Sequence, residues 1–180
     1  DGVIAGRDMK IVGNYFKNGT VNKFRYCVNK SYEPVTITRN IISIDSNSVG
    51  IYVTSNHSGL ISLNSILSSA GTGQGIYYPT AGTRVNDMIH SNAIEGFSGV
   101  GGVGIKMDNY SAGSVMQGIK DNILHNNTTN LQYVSIAQVY DQNSYTSNIS
   151  AASTLFAKSG SDTFENRFVY FAPSDVDTMK

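Results

Sequence analysis

Ile37-Thr38-Arg39-Asn40-Ile41-Ile42 is followed 24 residues later by Ile61-Ser62-Leu63-Asn64-Ser65-Ile66, and this pair decides the fold. The same frame, Ile-x-x-Asn-x-apolar, stands before them as Ile11-Val12-Gly13-Asn14-Tyr15-Phe16. It returns after them as Ile89-His90-Ser91-Asn92-Ala93-Ile94 and Ile119-Lys120-Asp121-Asn122-Ile123-Leu124. Successive Asn positions are 26, 24, 28 and 30 residues apart, and a weaker copy, Tyr145-Thr146-Ser147-Asn148, comes 26 further on. Units of this length that repeat in register mark a solenoid, because one unit cannot bury its apolar face alone and stacked units can.

A second motif interleaves with the first. Gly50-Ile51-Tyr52-Val53, Gly75-Ile76-Tyr77-Tyr78 and Gly104-Ile105-Lys106-Met107 each begin about a dozen residues after an Asn of the first set. Tyr26-Cys27-Val28 and Gln132-Tyr133-Val134 are weaker counterparts. Each unit therefore holds at least two short strands, separated by Gly, Ser and Asn turns. The apolar runs are four to six residues long and rich in Ile, Val and Tyr, so helical units are disfavoured. Only Ser150–Lys158 offers a weak short helix.

Composition agrees with a β-rich chain and removes other classes. Thirteen basic residues balance thirteen acidic ones, and charged residues are 14% of the 180, against about a quarter in ordinary domains. Electrostatic capture of nucleic acid needs clustered Lys and Arg, so no nucleic-acid partner is expected. With 40% hydrophobic residues and no net charge the chain is not of disordered type. No apolar stretch reaches about 18 residues, so no membrane insertion is expected. The single Cys27 excludes an intramolecular disulfide and a multi-Cys metal site, and is expected to be a small buried hydrophobe. The start Asp1-Gly2, without Met or a signal segment, reads as a processed or excised piece of a longer polypeptide.

Stacking the units predicts internal columns. Ile11, Ile37, Ile61, Ile89 and Ile119 form one, and Phe16, Ile42, Ile66, Ile94 and Leu124 a second. Asn14, Asn40, Asn64, Asn92 and Asn122 are expected to form one buried line, each amide bonding its neighbours about 4.8 Å above and below.

This repeat resembles the right-handed parallel β-helix of the pectate-lyase-like superfold, over residues 1 to about 150. The resemblance implies an all-β solenoid of about five to six coils, with residues 151–180 as a C-terminal cap or inter-subunit strand. Such β-helices occur in pectate lyases, polygalacturonases, alginate epimerases and phage tailspikes. The epimerase Asp-Pro-His motif and the arginine-rich, calcium-binding pattern of pectate lyases are missing from this chain. Phage appendages are the nearest likeness. They imply a homotrimer, with residues 160–172 in or near the contact, placed on a virion tail or outside the cell.

Alternation of side chains predicts outward columns as well. Val12, Thr38, Ser62, His90 and Lys120 form one, and Lys17, Ser43, Leu67, Glu95 and His125 another, which sets Glu95 beside His125 as a carboxylate–imidazole pair. The second motif gives Val28, Tyr52, Tyr77 and Lys106, flanked by Thr54, Pro79 and Asp108. Tyrosines stacked on a flat sheet suit sugar faces, and phenol hydroxyls suit sugar hydroxyls. Longer inter-strand stretches at Ser68–Gln74, Pro79–Asp87 and Gly96–Val103 flank this motif, and Arg84 lies in one of them.

The candidate binding residues are thus Tyr52, Tyr77, Arg84 and Lys106. Among Asp87, Glu95, Asp108 and Asp121, the pair Glu95 and Asp108 is the candidate for catalysis, since glycoside hydrolysis needs two carboxylates. His57, His90 and His125 lack zinc-site spacing, and no metal or cofactor is expected. Two functions stay open: a carbohydrate-engaging segment that binds a cell-surface polysaccharide, with or without depolymerising it, and a non-catalytic structural or adhesive solenoid.

Overall fold

The structure, a computed structural model, describes residues 2–17, 24–31, 34–44, 47–54, 59–69, 71–79, 87–108, 115–133, 138–145 and 154–158. All its elements are strands. The first four coils run β1 (Val3–Ala5), β2 (Met9–Val12), β3 (Tyr15–Lys17); β4 (Tyr26–Lys30), β5 (Val35–Thr38), β6 (Ile41–Ile44); β7 (Val49–Val53), β8 (Gly59–Ser62), β9 (Ser65–Ser68); and β10 (Gln74–Tyr78), β11 (Asp87–His90), β12 (Ala93–Glu95). Then come β13 (Val103–Met107), β14 (Val115–His125), β15 (Thr129–Tyr133), β16 (Gln138–Tyr145) and β17 (Thr154–Lys158).

Every third strand pairs in parallel with its counterpart one coil on, which winds the chain into a parallel β-solenoid of about four turns. The first face is the sheet β1-β4-β7-β10-β13-β15-β17. The second face, β2-β5-β8-β11, and the third, β3-β6-β9-β12, are joined by β14, which pairs with β11 through Ile119 and Lys120 and with β12 through Ile123, Leu124 and His125. The further coils read from the sequence fall after β14. There β16 pairs with β14 and β17 with β15, while Thr146–Asn148 and residues 160–172 lie outside the described residues. At residues 154–158 the helical reading is overturned. This segment is a strand, because the edge of β15 offers it backbone partners from Thr129 to Tyr133.

The interior is built from three columns, one per face. Ile11 pairs with Ile37, Ile37 with Ile61, Ile61 with Ile89 and Ile89 with Ile119. Phe16, Ile42, Ile66, Ile94 and Leu124 are likewise in register. The third column, Val28, Ile51, Ile76, Ile105 and Leu131, is fully buried on the first face. Each buried Ile withdraws enough apolar surface to contribute about 1.5–3 kcal/mol, so the repeated Ile dominates the packing energy. Cys27 is also fully buried.

The bend between second and third faces is where the Asn repeats. Asn40 donates its backbone N–H (3.0 Å) and its Nδ2 (3.0 Å) to Asn64 Oδ1, and sends Nδ2 back to the Ile11 carbonyl at 2.9 Å. Asn64 repeats this toward Asn92 and Ile37, and Asn92 toward Asn122 and Ile61. Asn40, Asn64, Asn92 and Asn122 are at most 2% exposed. Asn14 departs from the expected burial: it joins the line through Asn40 Oδ1 but is exposed, because among the described residues β2 and β3 are paired on one side alone. The residue before each ladder Asn (Gly13, Arg39, Leu63, Ser91, Asp121) has φ between 55° and 70°, a left-handed step that turns the strand through the corner.

Candidate functional site

On the first face the pleat sends Tyr52, Tyr77 and Lys106 outward from β7, β10 and β13, in register with one another. The column does not continue through Val28 as expected. Val28 pairs with Ile51 and is buried, and Asn29 takes the place beside Tyr52. A one-residue offset reverses every side chain of a strand, and the weak copy at 26–28 lacks the Gly that fixes the frame in the others. Gln132 extends the row beyond Lys106.

The side chains of the row are coupled. Tyr77 donates its hydroxyl to Asp108 Oδ2 at 2.7 Å, and Lys106 Nζ lies 3.4 Å from the same oxygen. The Lys106 ammonium sits 4.9 Å from the centre of the Tyr77 ring, a cation–π arrangement. Tyr52 meets Tyr77 edge-on at 5.6 Å. Burial, then the hydrogen bond and the charge of Asp108, push the Tyr77 phenol well above its ordinary value, so it stays a neutral donor.

The sequence reading missed Tyr26 and Arg25, which extend this row. The Tyr26 ring stacks on Tyr52 at 3.8 Å and 6°, and the Arg25 guanidinium lies 5.0 Å from the Tyr26 centroid. Burial first, then the Tyr52 hydroxyl, raises the Tyr26 pKa, with Arg25 acting the other way. The signal was present as Arg25-Tyr26 directly before the weak motif copy, but the aligned position in the next coil is Val49, so no column announced it. The stacking also changes the chemistry. Tyr26 and Tyr52 cover one face of each other's ring, and Lys106 lies over a face of Tyr77. The row therefore offers ring edges, hydroxyls and a Lys–Asp pair more than open aromatic platforms.

The second predicted pair forms as expected. Glu95 and His125 are register partners, and Glu95 Oε2 lies 3.3 Å from His125 Nδ1 at the exposed surface of the third face. His90 is in register with Lys120, and Ser62, though in the same outward column, is only 3% exposed, bonded through Oγ to Thr38 Oγ1 at 3.2 Å.

Glu95 and Asp108 do not come together. Glu95 ends β12, Asp108 follows the far end of β13, and the five residues of β13 alone span roughly 16 Å. Paired carboxylates for glycoside hydrolysis sit about 5–9.5 Å apart.

The flanking stretches divide in the same way. Those at 68–74 and 96–103 meet at the corner before β10 and β13, away from Asp108, and bond each other through Gly99 N–H to the Gly71 carbonyl. Gly73 (φ 94°) and Gly96 (φ 85°) hold that corner, where a Cβ would collide with the carbonyls of Ser48 and Ser68. A second set of amide bonds, absent from the sequence reading, ties the corner down: Asn127 accepts from Phe97 N–H (3.2 Å) and donates to the Ile94 carbonyl (3.1 Å) and Asn130 Oδ1 (3.0 Å). Arg84, His57 and most of Pro79–Asp87 lie outside the described residues. Among the described residues no group of three or more His, Cys, Asp or Glu could hold a metal ion.

Comparison with protein-family models, with curated proteins and with solved structures gives no match for this chain.

Proposed function

We propose that this chain is a carbohydrate-engaging β-solenoid segment that binds an extended polysaccharide along the β4–β7–β10–β13 face. The observation that supports this most is the Tyr77–Asp108–Lys106 cluster, in line with Tyr52 and Tyr26. It sets fixed hydrogen-bond donors and an acceptor on a flat surface at one row per coil. Only one oxygen of Asp108 is engaged by Tyr77 and Lys106. The other is left to accept from a sugar hydroxyl, while Lys106 donates beside it. A hydroxyl-rich polymer meets such a surface through hydrogen bonds and ring-edge contacts and needs no net charge.

The proposal concerns binding on this face, and the release of product, followed separately, reads whether cleavage accompanies it. The likeness to phage appendages extends the proposal to a homotrimer on a virion tail or outside the cell. The alternative, a structural or adhesive segment, draws on the Tyr26–Tyr52 stack, which also seals the sheet against water.

Fluorescently labelled bacterial surface polysaccharides, titrated against the chain with product release followed in parallel, test the proposal. Tyr77→Ala is expected to weaken binding by about 1–2 kcal/mol and leave the fold intact. Equal binding by Tyr77→Ala and the parent would mean that this face is not the site.

A further inference from the structure

The aromatic row carries a cation at each end, and the two are held differently. At the β13 end, Lys106 Nζ lies 3.4 Å from Asp108 Oδ2, so its charge is met within the protein. At the β4 end, Arg25 is exposed, and no carboxylate pairs with it among the described residues. None of the seven strands of this face contains an acidic residue, which leaves Asp108, directly after β13, as the acid of the row.

Arg25 is nevertheless fixed in place. Its carbonyl accepts the Val49 N–H at 3.1 Å, which pins the backbone at the head of β4. Its guanidinium lies over the Tyr26 ring at 5.0 Å, and that ring is itself stacked on Tyr52 at 3.8 Å. A guanidinium laid on an anchored ring has already lost much of its freedom, while its N–H edge stays exposed. Such a fork meets a planar carboxylate with two parallel hydrogen bonds, a geometry that the point charge of Lys106 does not supply. Because the chain has no net charge, a preference for acidic ligands must arise locally.

We infer that the ligand of this face is an acidic polysaccharide, and that Arg25 is the residue that recognises a sugar carboxylate. The inference rests on the polysaccharide reading given above and adds the substrate class to it. A carboxylate that reached Lys106 instead would meet the charge of Asp108 beside it. Arg25 and Lys106 stand three coil steps apart, roughly 14 Å at about 4.8 Å per step. The carboxylate on Arg25 and the hydroxyls bound by Tyr77, Asp108 and Lys106 therefore belong to different sugars of one extended chain.

The test uses the full chain and a set of labelled bacterial surface polysaccharides that contain uronic acid. Each is compared with the same polymer after reduction of its carboxylates to primary alcohols. The acidic form is expected to bind about fivefold more tightly at low salt, a preference that shrinks as salt is raised. Arg25→Gln should abolish the preference and leave the affinity for the reduced form unchanged. Lys106→Gln combined with Asp108→Asn, which alters no net charge, should weaken both forms by a common factor. Equal binding of the two forms by the parent, a preference retained in Arg25→Gln, or an equal loss of both forms in that variant would each overturn the inference. The reading of the face would survive those results if Tyr77→Ala still weakened binding of both forms. Failure of every polymer to bind would remove both.

Discussion

Asn40, Asn64 and Asn92 at the corner, and Tyr52 and Tyr77 on the first face, recur in successive coils and each meet their own kind. The amides are sealed in, at 2% exposure or less, and each meets its partners in full; the phenols are only half-buried. The same register and rise thus give two ladders with different work. Where water is excluded, a lost hydrogen bond strands its partner and the whole desolvation penalty falls on stability. Where water remains, a lost bond is replaced, and the side chain is available for a ligand.

Substitution at the ladder gives the largest expected contrast. Asn64→Leu removes the acceptor of two Asn40 donors and the donor to the Ile37 carbonyl, leaving buried groups unpaired. It should lower stability by about 3–5 kcal/mol in urea denaturation. Asn14→Leu, at the exposed end of the same line, should lose less than about 1 kcal/mol. Similar losses at both positions would break the argument that burial separates the ladders.

On the aromatic row the expected change is smaller. Tyr77→Phe keeps the ring under Lys106 but frees Asp108 Oδ2 of its phenol donor, and should lower stability by about 0.5–1.5 kcal/mol. A loss matching that of Asn64→Leu would place Tyr77 with the buried set.

Alkaline pH reads the burial of two tyrosines in this row. Burial raises both Tyr77 and Tyr26 above the ordinary value of about 10, so near that pH the unfolded chain loses these protons while the folded chain keeps them. The stability they contribute is complete below about pH 10 and disappears as pH rises through their folded values. Tyr77→Phe should therefore flatten the fall in stability above about pH 10, and the phenolate absorbance of the parent should show a late component that the variant lacks. An equal fall in stability for parent and variant would contradict the assignment. Asp108→Asn should bring Tyr77 only part of the way back, because burial is the first cause.

The smallest effect concerns the corner itself. Leu63 sits at φ 56° with its side chain half exposed, and Leu63→Gly should raise stability by up to about 1 kcal/mol as the left-handed strain is relieved. A lower midpoint in thermal melting would show that the Leu63 side chain contributes more by packing than its backbone loses.

The repeated Ile and Asn made the interior legible, because a buried column constrains residue type at every coil, and even the exposed copy at Asn14 kept both. The outward columns through Glu95–His125 and Tyr52–Tyr77–Lys106 followed from the same register. Legibility failed where that constraint is relaxed. Val28 was placed one residue out because the copy around it lacks its glycine, and Tyr26 was passed over because its ring leans along the sheet onto Tyr52 rather than standing in its own row. Asn127 stood outside any repeat, since it serves a corner that only one pair of coils shares. Ring orientation, which turned platforms into edges, is a property of χ angles that residue spacing does not encode.

The left-handed residue before each ladder Asn has a consequence for how this architecture varies. The Ile-x-x-Asn-x-apolar frame never changes length, yet the coils differ, with ladder spacings of 26, 24, 28 and 30 residues. All of the slack must therefore be taken up at the other two corners. The molecule has in effect a keel and two free margins: length can be added or removed along the margins while the keel keeps every later coil in step. A surface built from such margins can be rewritten piece by piece, with each revision confined to the coil in which it occurs.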